Sequence, residues 1–219
     1  MSNEEIRQWL TGKTILVIED DDELAFRLVH AFRKQKVEQV VTVGSVESGL
    51  KELTSHWHRF DLVIVDIMLP DTEKTYSEIR KYRDELKECR KTFMDAATET
   101  RWELDESPKV EEARDTRKHL LAIIADMIRM DAGISMIEAW RREMLAHTAP
   151  GTPHSGTHGA TDASSKSDVP VFFLTAIGDK ESKRRGLSLV ERGKWLVKPV
   201  TSEVVLSVSA ELIATSIND

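Results

Sequence analysis

The sequence predicts an α/β fold, a parallel sheet covered by helices on both sides, interrupted by a long helical insertion. Three observations predict it. Short β-branched segments, apolar on both faces, alternate with amphipathic helical segments near the N-terminus. The alternation stops at about residue 72 and resumes after residue 168. The stretch between is charged and helical in its spacing, with no strand candidate.

Each element has its own reason. Thr14–Ile18 (TILVI), Gln39–Val43 (QVVTV) and residues 61–65 (DLVIV) are short apolar runs, the pattern of strands buried on both faces. Asp22–Lys34 and residues 46–57 lie between them with helical spacing; Leu24, Leu28, Ala31 and Phe32 share one stripe. Strand and helix in alternation predict right-handed βαβ units. After the interruption, residues 169–174 (VPVFFL) and 195–197 (WLV) read as strands, and 179–190 and 201–217 as helices. Without the interruption this leaves roughly 120 to 130 residues, an ordinary single-domain size.

In the insertion, Ile79, Tyr82, Leu86, Cys89, Phe93, Ala96 and Thr100 follow the three-four spacing of a coiled-coil seam. Glu106, Ser107 and Pro108 mark a break, since proline is tolerated only in a first helical turn. Val110, Ala113, Leu120, Ile124 and Met127 begin a second seam. Residues 148–168, rich in Gly, Ser, Thr, Pro and His, hold too few apolar side chains to offset ordering entropy, and a flexible loop is expected. His147, His154 and His158, in or beside that loop, lack companion ligands and read as solvated rather than metal-binding.

Composition excludes several function classes. Hydrophobic residues make up 40%, enough for a core, and the formal net charge of −7 attracts neither nucleic acid nor an anionic membrane. No apolar run approaches the roughly 18 to 20 residues of a membrane span. The single cysteine, Cys89, excludes an internal disulfide and fits a reducing compartment. A cytoplasmic protein is expected.

Ligands of open parallel sheets bind at the carboxyl ends of the strands. There the sequence places Glu19, Asp20, Asp21 and Asp22 after the first strand, Asp66 after the third, Thr175 at the end of the fourth and Lys198 after the fifth. Asp21 and Asp22 also suit helix N-caps. A carboxylate cluster on one rim is costly without a cation, and hard oxygen donors suit Mg²⁺. An aspartate can act as nucleophile and become an acyl phosphate, with a lysine and a hydroxyl stabilising the transferred group.

Together, ILVIEDD (15–21), DLVIVDIMLPD (61–71), VFFLTA (171–176) and WLVKP (195–199) resemble the four motifs of receiver domains in two-component response regulators. The resemblance implies a flavodoxin-like, doubly wound five-stranded sheet of order 2-1-3-4-5. It implies that Asp66 is the phosphoacceptor, that Glu19 and Asp20 hold Mg²⁺ with the backbone carbonyl of Met68, and that Thr175 is the switch hydroxyl. It implies further that Lys198 pairs with the phosphate, that the Lys198–Pro199 bond is cis, and that Trp195 stands at the switch aromatic, where the family usually has Tyr or Phe. A histidine kinase or phosphotransfer protein is the implied phosphodonor, and chemistry is confined to the protein's own phosphorylation and dephosphorylation. The receiver-like parts are residues 13–71 and 130–217, since 130–142 (MDAGISMIEAWRR) resembles the start of the family's third helix. Residues 72–129 are then an insertion the family lacks. Its ends rejoin one loop, so its helices should run antiparallel, reaching about 50 Å for some 34 residues. No output domain follows residue 219, so the hairpin is expected to bind a downstream protein or a second copy of the chain.

Overall fold

The computed structural model describes residues 1–99, 108–148, 169–176 and 178–216. Along the chain run α1 (Asn3–Leu10), β1 (Thr14–Ile18), α2 (Asp22–Lys34), β2 (Gln39–Val43), α3 (Val46–His56), a 3₁₀ turn (Trp57–Arg59) and β3 (Leu62–Val65). Then come α4 (Glu73–Glu99), α5 (Pro108–Met127), α6 (Ala132–Thr148), β4 (Val171–Thr175), α7 (Lys180–Ser188), β5 (Gly193–Val197) and α8 (Ser202–Thr215). The five strands form one parallel sheet in the order β2-β1-β3-β4-β5, as expected.

Strand periodicity divides the core in two. Ile15, Val17, Ile64, Phe172 and Leu174 face a layer containing Leu28 and Phe32 of α2 and Val205 and Ile213 of α8. Their neighbours Leu16, Ile18, Val63, Val65 and Phe173 face the opposite layer, with Leu53 of α3 and Ile134, Ile137 and Trp140 of α6. A strand sandwiched this way needs apolar side chains at every position, hence the unbroken runs.

Two expectations need correction. β2 is not buried on both faces: it is an edge strand whose Gln39 and Thr42 are exposed, so only part of its apolar character is used for packing. Asp61 does not belong to β3; its carboxylate accepts from the Thr14 amide at 2.8 Å and from Lys13 Nζ at 3.2 Å, tying the strand start to β1. Helix α1 is an addition that apolar periodicity did not reveal. Its signal is a capping box, in which Ser2 Oγ accepts from the Glu5 amide and Glu5 accepts from the Ser2 amide. It packs on α8 and buries Ile6 and Leu10.

The insertion after β3 is helical. Leu69 and Arg129 form an isolated antiparallel bridge, and Arg129 pairs with Asp71 at 3.1 Å, so departing and returning chain meet. With their outer ends joined by residues 100–107, α4 and α5 pack against each other as an antiparallel pair. Ile79, Val110, Ala113, Leu120 and Ile124 are buried, while Tyr82, Leu86, Cys89, Phe93 and Met127 are half-buried. The described length of α4 is 27 residues, about 40 Å at 1.5 Å per residue. The expected loop beyond Thr148, with His154 and His158, lies outside the described residues, as do the side chains of Ala96 and His147 and all of Thr100.

The chain re-enters the core at α6 through Gly133. Its amide donates to the Ile67 carbonyl at 3.1 Å, and a Cβ there would overlap the Asp66 carbonyl oxygen. Only glycine lets this helix start press so closely on the loop after β3.

Candidate functional site

Backbone hydrogen bonds extend the sheet one residue past the strand ends and aim the rim side chains. The Glu19 amide donates to Val43 O at 2.9 Å, the Asp66 amide to Ile18 O at 2.9 Å, and the Lys198 amide to Thr175 O at 2.7 Å. Glu19, Asp20 and Asp66 are all buried, and carboxylate oxygens of the three lie within 4.8 Å of one another. Lys198 crosses to them from β5: its Nζ donates to both oxygens of Glu19, at 2.9 and 2.7 Å, and to Asp66 Oδ2 at 2.7 Å. The other Asp66 oxygen, Oδ1, accepts from the Met68 amide at 3.0 Å. The Lys198–Pro199 bond is cis, as expected. Thr175 ends β4, the strand beside β3, and is fully buried.

Burial, followed by the nearby Asp66 charge, pushes the Glu19 carboxyl up to about 8, even though Lys198 favours its ionised form. Burial also raises Asp20, against the pull of a guanidinium described below. For Lys198, burial opposes the charge, but the carboxylates of Glu19 and Asp66 outweigh it and hold the ammonium above the ordinary lysine value. Burial is the largest cause for both carboxyls, and a further cation would favour their ionised forms.

No family model and no curated protein matches the chain. Solved structures do. A CheY-like response regulator receiver domain protein from Methanospirillum hungatei JF-1 aligns with 94% of this chain and 97% of its own, at TM-score 0.51 and 13% identity. A two-component response regulator from Clostridium difficile aligns with 94% of this chain and 99% of its own, at TM-score 0.50 and 12% identity. The fold is that of a receiver domain.

On this receiver fold the acidic donors fit a divalent ion. They are hard oxygens, they converge, and they are buried. Asp21 proves to be the N-cap of α2, accepting from the Glu23 and Leu24 amides at 2.9 and 3.1 Å. Trp195 lies buried in β5 with its ring 5.4 Å from that of Phe173. Gly186 of α7 makes room for it, since a Cβ there would come within 3.0 Å of the indole. The larger aromatic is thus accommodated inward.

Sequence reasoning missed a second set of residues. Glu73, Tyr76, Arg80 and Arg83 recur on one face of α4, and that face lies on the rim of the site. Ser45 Oγ donates to Glu73 Oε1 at 3.0 Å, the Tyr76 hydroxyl to Asp22 Oδ1 at 2.5 Å, and Arg80 Nε pairs with Asp22 Oδ2 at 2.7 Å. The Tyr76 ring covers Gly44, where any Cβ would collide with it. Arg83 goes deepest: Nη2 donates to Asp20 Oδ2 at 2.5 Å and Nη1 to the Asp20 carbonyl. A polar stripe at intervals of three, four and three, flanking the apolar seam, was the available signal.

Proposed function

We propose that this protein is a response-regulator receiver that accepts a phosphoryl group on Asp66 and thereby changes its protein contacts. The observation that carries the reading is Lys198 Nζ, bonded at once to Asp66 and Glu19 in a pocket shared with Asp20. An Asp66 oxygen would give up its present hydrogen bond and attack the phosphorus; the bond from phosphorus to the donor's leaving group breaks, and an acyl phosphate forms. Lys198 would then transfer a hydrogen bond from Asp66 to a phosphoryl oxygen, with Thr175 donating another. Mg²⁺, held by Glu19, Asp20, Asp66 and the Met68 carbonyl, would neutralise charge on the transferred group. The phosphodonor is a histidine kinase or phosphotransfer protein, and the protein acts as a cytoplasmic signalling element rather than an enzyme on small substrates. Thr175 and the inward Trp195 would pass the change to the surface of α7, β5 and α8.

Beryllofluoride with Mg²⁺ tests the reading by calorimetry. Binding by the wild type and its loss in Asp66→Asn are expected. Absence of binding by the wild type would favour a phosphorylation-independent interaction protein, a second reading that the Arg83–Asp20 contact supports.

The insertion is proposed as the partner surface, pairing as a coiled coil with a second copy. Leu121, exposed on α5, stands beside Leu86 and Phe93 in an open groove. Leu121→Glu should lower the mass measured by light scattering without changing the melting temperature; an unchanged mass in a wild-type dimer would remove this face from consideration.

A further inference from the structure

We propose that Arg83 is the resident cation on Asp20 and that it competes with a divalent ion for the acidic pocket. The inference rests on the Mg²⁺ reading above and concerns residues no receiver motif contains. Asp20 is buried, and its Oδ2 is already held at 2.5 Å by Arg83 Nη2, with Nη1 on the carbonyl of the same residue. The guanidinium leaves a metal ion only the second carboxylate oxygen, Oδ1, and stands within a few ångströms of it as a like charge, so the two cations oppose each other at Asp20. Competition for Asp20 therefore follows from geometry.

The source of the guanidinium gives the competition its consequence. Arg83 belongs to the inserted helix, whose first turns are pinned to the rim by Glu73, Tyr76 and Arg80. Two of these pins, Tyr76 and Arg80, meet on Asp22 of α2, two residues from Asp20. Release of Arg83 thus removes the innermost of a row of contacts that run in register along one helix face. Metal loading and the seating of α4 are two sides of one equilibrium, and each must weaken the other. The insertion lies over the site as a competitor for its cation rather than as a remote spacer.

Calorimetric titration with MgCl₂ at fixed pH decides it, using wild type, Arg83→Ala, and Lys87→Ala as a control. Lys87 sits one turn beyond Arg83 on the same helix and pairs with Asp84 at 2.7 Å rather than with Asp20. If nine molecules in ten are closed by Arg83, the apparent Mg²⁺ Kd of Arg83→Ala should be about tenfold lower than that of the wild type. Lys87→Ala should match the wild type. Thermal melts and circular dichroism of each variant guard against misfolding, and Arg83→Gln, which keeps the side chain's stem, should reproduce the gain. Hydrogen exchange adds a reciprocal readout: saturating Mg²⁺ should accelerate exchange at residues 76–83 of the wild type. Equal Mg²⁺ affinity in wild type and both Arg83 variants would overturn the competition while leaving the metal site intact. No Mg²⁺ binding in any of them would overturn the Mg²⁺ reading itself, and the competition with it.

Discussion

Replacing Lys198 by methionine is expected to destabilise the metal-free protein by about 3 kcal/mol, and by more at pH 9 than at pH 5, in urea unfolding at each pH. The ammonium is the only side chain bonded to both Glu19 and Asp66 among the described residues. Removing one partner of a buried ion pair leaves the other charge uncompensated, a loss of about 3 to 5 kcal/mol. Lys198 is one-fifth exposed, which places the expectation at the lower end. The pH dependence follows from Glu19, whose carboxyl stands at about 8 in the fold against an ordinary 4.5. Between those values the folded state holds a proton that the unfolded chain has released, so stability falls as pH rises through the window. Loss of the ammonium pushes Glu19 further up, so in the variant the fall continues above pH 8, where the wild type levels off. At pH 5 Glu19 is protonated in both proteins and adds nothing to the difference. An equal loss at both pH values would mean that the carboxylates and the ammonium are not coupled as their contacts imply.

Gly133→Ala should be the most damaging small substitution, costing about 3 kcal/mol and lowering the melting temperature by roughly 6 to 12 °C. The added methyl would overlap the Asp66 carbonyl oxygen and stand 2.8 Å from Ile67 Cα, both backbone atoms that cannot rotate away. Relief requires either α6 or the loop carrying Asp66 to move. The first opens the packing of Ile134, Ile137 and Trp140, and the second displaces the acidic cluster. Gly178 supplies the contrast, since a methyl there meets only Val197 side-chain carbons at 3.4 Å and beyond. Gly178→Ala is expected to melt within a degree or two of the wild type. Similar melting temperatures for the two variants would mean that the α6 start does not bear on the Asp66 loop.

These two effects show how differently the parts of the site could be read. The Glu19–Asp20 pair, Asp66 and Lys198 are far apart in sequence, yet each follows an apolar β-run, and a parallel sheet brings such positions to one rim. Their convergence was therefore legible before any coordinates. Gly133 was legible only as part of a motif; the reason it must be glycine is a backbone contact made across the insertion. Helix α1 escaped notice because its eight residues bury only Ile6 and Leu10, too few to produce a periodic pattern.

By itself, the sequence determined the parallel sheet, the helical character of the insertion and the identity of the acidic rim, while the strand order came only through the resemblance to receiver domains. Those properties reside in local periodicity and in the connection rules of βα units. Where the insertion lies was decided only by the tertiary structure. A helix with an apolar seam on one side and Glu73, Tyr76, Arg80 and Arg83 on another satisfies its own hydrogen bonds in any orientation. Its direction was chosen by polar contacts to Ser45, Asp22 and Asp20, residues from other loops that meet it only once the sheet has formed.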